Sequence, residues 1–354
     1  MSRISSSVRG RGTTENPPNR FASLFYVRDQ DWTDPDDPAP TTQCLRDISR
    51  SIIARNDSPD VGFNTSVNPY KGCEHGCIYC FARPTHEYLG FSAGLDFETK
   101  ILVKEDAPVL LRKELTSPRW RPQVIAMSGV TDPYQPLERR LQLTRGCLEV
   151  LAEFRNPVAI ITKNHLVTRD GDLLGELARF EAVAVFVSIT TLDSDLARVM
   201  EPRASHPQRR LAAIESLAGA GIPVGVMVAP VIPGLTDHEL PSIITTAAQV
   251  GARFAGHGLL RLPHGVGSLF EQWLSQHTPT RKDKVLKRIR EMHGGRLNDS
   301  RFGMRMRGEG LFAEQITALF KVACRKAGLA TRSPTLSVAA FRRPAGDQLS
   351  LFDA

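Results

Sequence analysis

No stretch of this chain approaches eighteen consecutive apolar residues, so nothing in it reads as a membrane-spanning segment. The first residues are rich in Arg, Ser and Pro and lack an apolar core, which argues against a secretory leader. The six cysteines, at 44, 73, 77, 80, 147 and 324, form no paired framework, so a disulfide-stapled extracellular domain is not expected. A reducing, cytoplasmic setting is. What remains is a 354-residue chain with 41% hydrophobic residues, enough for one large core with extensions. Its formal net charge of +7 is unevenly spread. Residues 281–307 hold ten Lys and Arg against Asp283, Glu291 and Asp299, which equals the whole excess.

Three of the cysteines lie close together in Asn68-Pro-Tyr-Lys-Gly-Cys73-Glu-His-Gly-Cys77-Ile-Tyr-Cys80-Phe81. Three thiolates at C-x3-C-x2-C spacing can hold three irons of a 4Fe–4S cluster and leave the fourth open to a substrate or cofactor. Two other readings stand beside this. Cys73, Cys77 and Cys80 with His75 or His86 make a four-ligand zinc set. A C-x-x-C pair alone makes a redox dithiol. Neither accounts for the third cysteine together with the architecture that follows.

From about residue 63 the chain alternates short apolar runs with amphipathic segments. Strands are predicted over 64–70, 124–128, 158–162, 183–190, 224–229 and 258–262. Helices are predicted over 107–115, 139–154, 172–180, 211–220 and about 239–251. Short apolar strands separated by helices imply a parallel sheet buried on both faces. A complete eight-stranded barrel takes about 250 residues, more than this region offers, so a partial (β/α)6 TIM-type barrel is expected over 63–263. Around it the sequence predicts a flexible N-terminal extension (1–62), with a bridging element near 42–56. A basic helical region (264–333) and a flexible tail (334–354) follow. Catalytic groups in such barrels stand at the C-terminal ends of the strands. Those ends read Thr131-Asp-Pro-Tyr-Gln-Pro-Leu-Glu138, Ile161-Thr-Lys-Asn164, Ser188-Ile-Thr190 with Glu201-Pro-Arg203, and Pro230-Val-Ile-Pro-Gly-Leu-Thr-Asp237.

The cysteine spacing resembles the signature of the radical S-adenosylmethionine (radical SAM) superfamily. The strand-end phrases resemble its subgroup related to spore photoproduct lyase. The resemblance covers roughly 63–263 and implies a 4Fe–4S cluster on Cys73, Cys77 and Cys80. It also implies S-adenosylmethionine chelating the open iron, cleavage to a 5′-deoxyadenosyl radical, and an electron donor such as a flavodoxin or ferredoxin. By the same resemblance Tyr79 packs its backbone near the adenine, and Thr131 and Asp132 face the methionyl end. Lys163 and Ser188 contact the carboxylate or ribose, and Ser128, Gly129 and Thr190 complete the cofactor set. An ammonium suits a carboxylate and hydroxyls suit ribose. The lyase carries a cysteine at the end of its second strand that returns a hydrogen atom to the product radical. Here Ser128-Gly-Val130 has none, and Cys147, in the next helix, reads as a buried small hydrophobe. Repair of the spore photoproduct itself is therefore not implied. Tyr134 is the candidate radical relay.

The basic run, with Phe302 among its arginines, suggests phosphate neutralisation and base stacking, hence a nucleic-acid partner, with DNA the expected one. Gln348-Leu-Ser-Leu-Phe352 resembles the peptide by which bacterial polymerases and repair factors bind the sliding clamp. The leading expectation is a lyase-like radical SAM enzyme acting on a DNA lesion. The alternatives are the same chemistry on a protein or small molecule, and a non-catalytic iron–sulfur or zinc protein.

Overall fold

The computed structural model describes residues 8, 10–21, 41–127 and 129–344. Ser128 and the clamp-like Gln348–Phe352 peptide lie outside the described residues. The strands are β1 (Gln43–Arg46), β2 (Ile53–Arg55), β3 (Thr65–Val67), β4 (Tyr70–Lys71), β5 (Lys100–Val103), β6 (Ile125–Met127), β7 (Val158–Thr162), β8 (Val183–Ser188), β9 (Val224–Val231) and β10 (Phe254–Leu259). Seven of them form one sheet in the order β10-β9-β8-β7-β6-β3-β2. Every neighbour from β3 to β10 is parallel, and β2 closes the edge antiparallel to β3. Six parallel strands with helical crossovers make the partial barrel that the apolar runs predict.

The crossovers are Ala107–Thr116, Leu143–Phe154, Gly171–Ala178, Pro207–Gly219 and Leu240–Gln249. Their apolar stripes (Leu148 and Leu151, Leu174 and Leu177, Ile243 and Ile244) meet Ile160, Val185 and Val226 in one buried core. The sixth strand begins four residues before the predicted one. Gly256, His257 and Gly258 break its apolar pattern, but ladder bonds to β9 hold it from Phe254 onward. Gly225 on β9 makes room for Phe254, since a Cβ there would sit 2.1 Å from its ring.

Two parts of the chain differ from their expected looseness. Within 1–62, β2 belongs to the main sheet and β1 pairs with β5 in a second sheet ordered β1-β5-β4. Residues 11–20 also bond along the segment 87–98. Within 334–344, the tail crosses the barrel's base, the end where the strands begin. Ser337 N donates to Glu181 O, Arg342 N donates to Phe154 O, and Arg343 reaches the carbonyls of Ser117 and Trp120, while just before the tail Ala330 O accepts from Ala255 N. Phe341 packs on Phe154 at 6.3 Å between ring centres. Among the described residues no helix is long and apolar enough to cross a membrane.

Because Phe341 is the apolar anchor of a tail otherwise held by hydrogen bonds to main-chain carbonyls, Phe341→Ala should cost about 1–2 kcal/mol. Urea unfolding reads this as a lower midpoint with an unchanged slope. An unchanged midpoint would mean the tail adds nothing to the barrel's stability.

Candidate active site at the strand ends

The chain leaves β3 and turns through the cysteine loop, where two glycines are obligatory. Gly72 has φ +85°, and a Cβ on it would lie 2.8 Å from the His86 ring and 3.0 Å from Phe97 O. Gly76 has φ +65°, and its Cβ would lie 2.7 Å from Glu98 Oε2. L-residues rarely adopt that backbone region, and here the space is also taken.

Arg83, fully buried, sits inside the loop. Its Nε and Nη2 donate to Cys77 O at 3.0 and 2.9 Å, and its Nη1 donates to Ala93 O and Gly94 O. Nη2 also meets Glu98 Oε1 at 2.6 Å. Glu98, equally buried, accepts Gly12 N, Thr13 N and the Thr13 hydroxyl. Other elements pin the loop from outside. Cys73 N donates to Phe97 O, Ile78 N to Met200 O, and Arg203 N to His75 O. Gln135 spans Glu74 N and Gly72 O.

Cys73 and Cys77 are buried and Cys80 is partly covered. Burial pushes all three thiols up. Charge on Cys77 and Cys80 raises Cys73 further, as does Asp132. Glu201 raises Cys77 while Lys163 lowers it, and Arg83 and Lys163 lower Cys80. The thiols therefore feel one another and the strand-end residues, which puts them in one electrostatic neighbourhood. Three soft donors that resist ionising alone, close to fixed cations, suit a cationic iron–sulfur group that takes them as thiolates. Among the described residues no three His, Cys, Asp or Glu side chains are placed to share a single ion. Ligands on separate irons of a cubane need no such convergence. His86 is engaged elsewhere, with Nε2 2.8 Å from Lys100 O.

Facing the loop is a shelf of polar side chains on the strand ends. Lys163 Nζ, beyond β7, donates to Ser188 Oγ (2.6 Å) and to Ala229 O (3.1 Å). It lies 3.8 Å from Glu201 Oε1 and 5.8 Å from the centre of the Tyr79 ring. Glu201 accepts from the Tyr79 hydroxyl, from Thr190 Oγ1 at 2.8 Å and from the Arg210 guanidinium. Burial would raise its carboxyl, but Arg210 and Lys163 outweigh that and hold it down at about 2.

Asp132 accepts from Thr162 Oγ1 (2.7 Å), Lys163 N (2.7 Å) and Tyr134 N (2.9 Å), and lies 3.4 Å from His75 Nδ1. Burial raises Asp132, yet the neighbouring His75 and these bonds keep it below the usual carboxylate range. Asn164 ties His75 Nε2 to Ser205. Gly129 N and Val130 N donate to Asn68 Oδ1, and Thr131 Oγ1 donates to Tyr70 O.

The structure thus brings Tyr79, Asp132, Lys163, Ser188 and Thr190 into one network beside the cysteines. Gly129 and Thr131 adjoin it through Asn68 and Tyr70, on the segment leading into the cysteine loop. Tyr134 stands apart. Its ring is fully buried in the main core, and the charges nearest its hydroxyl are Asp170, Glu138 and Arg169, none of them on the shelf. Cys147 is a fully buried core residue. Arg210, Asn68 and the Arg83–Glu98 pair were not anticipated. Arg210 had a readable signal, because it shares the i, i+3, i+4, i+7 stripe of its helix with buried Ala213, Ile214 and Leu217. Its neighbour Arg209 is exposed and touches His165.

Two outcomes follow from this geometry. Removing one member of a buried ion pair costs about 3–5 kcal/mol, so Glu98→Gln should lower the unfolding midpoint sharply and reduce the iron retained after reconstitution. Retention of both would show that the pair does not hold the loop. In the metal-free chain, Glu201 contributes stability that is complete above its unfolded-state pKa of about 4.5 and is lost as pH falls toward about 2. Unfolding followed between those values should therefore slope more steeply in the unsubstituted chain than in Glu201→Gln, by up to about 3 kcal/mol over the range. Parallel slopes would count against the depressed carboxyl.

The comparisons with known proteins agree with this architecture. A family model of the radical SAM superfamily matches residues 67–247. An uncharacterised protein of Mycobacterium tuberculosis is 40% identical over 233 residues, 65% of this chain and 67% of that one. Another, from Methanocaldococcus jannaschii, is 31% identical over 173 residues, 49% of this chain and 62% of that one. Among solved structures, a spore photoproduct lyase mutant superposes with a TM-score of 0.57 at 17% identity over 81% of each chain. A second lyase mutant, with bound AdoMet and dinucleoside spore photoproduct, gives 0.57 at 16% identity over 82% of each. The likeness to the lyase is one of fold. The chain belongs to the radical SAM superfamily, and the cofactors of that family, a 4Fe–4S cluster and S-adenosylmethionine, are its own.

Proposed function

We propose that this radical SAM enzyme acts on nucleic acid, at an altered nucleotide in a DNA strand, through a lyase-like radical reaction. In this reading Cys73, Cys77 and Cys80 hold the cluster, and the shelf of Tyr79, Asp132, Lys163, Ser188 and Thr190 binds the nucleoside cofactor. When bound, that pair supplies an electron and a 5′-deoxyadenosyl radical able to abstract hydrogen from substrate.

The chain's own residues position and neutralise. Lys163, fixed by Ser188 Oγ and Ala229 O, offers an oriented ammonium to a carboxylate. The Glu201–Arg210 pair balances charge beneath it and keeps the Tyr79 hydroxyl as a donor. Asp132 fixes His75 and the backbone at Lys163, so the shelf is organised before any ligand arrives.

The observation that supports a nucleic-acid substrate is the state of the basic residues in 281–307. Arg288, Arg301 and Arg305 are held by Asp237, Asp299 and Asp60, and Lys282 by Glu271. Arg281, Lys284, Arg290, Arg296 and Arg307 are exposed, and no acidic partner is seen for them among the described residues. Phe302 is 59% exposed with Arg305 over its ring. Exposed cations with an exposed aromatic are the elements of a strand-binding surface. A solved lyase of similar fold carries bound dinucleoside spore photoproduct, which supports a substrate of that class. A flavodoxin or ferredoxin as reductant, and a clamp contact through Gln348–Phe352, complete the reading.

Anaerobically reconstituted protein with dithionite should form 5′-deoxyadenosine, faster with ultraviolet-damaged DNA than with intact DNA. An iron-replete chain that forms none sinks the proposal, and indifference to DNA sinks its nucleic-acid half. Lys163→Ala should raise the KM for S-adenosylmethionine about 10- to 100-fold, the loss expected for one charge-assisted bond.

A further inference from the structure

Away from the cysteine shelf, a cavity of about 510 Å³ opens between the turn after β9 and the helices Lys282–Met292 and Leu311–Ala327. Lys284 and Arg288 line it from the first helix, with Arg281 at that helix's N-cap. Phe312, Ile316 and Leu319 line it from the second, and Asp237 and His238 from the turn. Asp237 is the only carboxylate in the lining, and Arg288 Nη1 already holds it at 2.9 Å. The same guanidinium lies 5.0 Å from the centre of the Phe312 ring. Gly234, at φ +81°, brings the turn close, since a Cβ there would lie 3.3 Å from Arg288 Cδ. Two cations without acidic partners among the described residues, Arg281 and Lys284, therefore stand opposite an aromatic and aliphatic wall.

A ligand with an anionic group and a flat ring satisfies both sides, and cavities of about 300–1,000 Å³ suit small molecules rather than a duplex. We propose that this cavity takes one nucleotide of a single strand of nucleic acid. Its phosphate is directed to Arg281 and Lys284 and its base to Phe312 and Leu319. The proposal rests on the nucleic-acid reading above and narrows it to one part of the basic surface. The turn that lines the cavity follows the C-terminal end of β9, the strand whose Ala229 O receives Lys163. A strand seated there lies on the end of the barrel that carries the cysteine loop.

The test is fluorescence anisotropy of the full chain with a short fluorescein-labelled oligothymidylate across a salt series. The double variant Arg281→Ala/Lys284→Ala should bind about tenfold more weakly, with the log–log salt slope reduced by about 0.7, the one phosphate that both cations meet on a single strand. Phe312→Ala should weaken binding about five- to tenfold with the slope unchanged, because stacking releases no counterions. Arg325→Ala/Lys326→Ala removes the same charge from exposed positions at the end of the second helix, outside both the cavity and the basic run, and should change affinity less than about twofold. Circular dichroism melts check that each variant is folded. Equal losses in the two double variants would overturn the cavity and leave diffuse charge as the binding surface, with the nucleic-acid reading intact. Failure of the unsubstituted chain to bind at low salt overturns both.

Discussion

The cysteine loop depends on one buried ion pair. Arg83 and Glu98 are both completely removed from solvent, a placement that costs several kcal/mol per charge unless every hydrogen-bonding site is used. Here they are used. The five N–H donors of Arg83 are matched by five contacts, four to backbone carbonyls and one to Glu98. Glu98 then gathers the backbone of Gly12 and Thr13. One pair thus ties together the carbonyl of the second cysteine, the segment around Ala93, and the N-terminal strap. The strap in turn presses close, for a Cβ on Gly12 would lie 1.7 Å from Gly76 O. A loop that must hold three sulfurs in fixed relation has little regular structure of its own, and this pair replaces the ladder it lacks.

A second layer of charge sets the shelf. Glu201 and Asp132 are both held ionised in buried surroundings, the first by Arg210 and Lys163, the second by His75. Glu201 therefore has its cations built in, and Lys163 serves both anions, through its side chain to Glu201 and its backbone N–H to Asp132. A bound carboxylate would meet an ammonium already oriented by Ser188 and Ala229 rather than a mobile surface lysine. That arrangement lowers the reorganisation a ligand must cause.

The barrel was readable because its strands are buried on both faces and so appear as apolar runs at regular intervals. The strand-end residues were readable because they interrupt those runs in phase. Arg83 and Glu98 were not, since a buried arginine fifteen residues from its partner leaves no periodic trace. Asn68 was equally silent, because its role is to bond the backbone of Gly129 and Val130 across sixty-one positions. The short strands β1 and β2 carry exposed, polar-rich faces and show no alternation to read. The segment 334–344 reads as loose from composition, yet nearly all of its attachment is through main-chain carbonyls, to which composition is blind.

That last segment also separates the two ends of the molecule. The cysteines, Lys163 and Asp132 stand where the strands finish. Ser337, Arg342 and Arg343 bond to residues just before β8, β7 and β6, where the strands begin. Pro344, the last described residue, follows directly from this crossing of the base. The described tail thus braces the end of the barrel opposite the cysteine loop, and the shelf at the strand ends is left to the loop and the strand-end residues themselves.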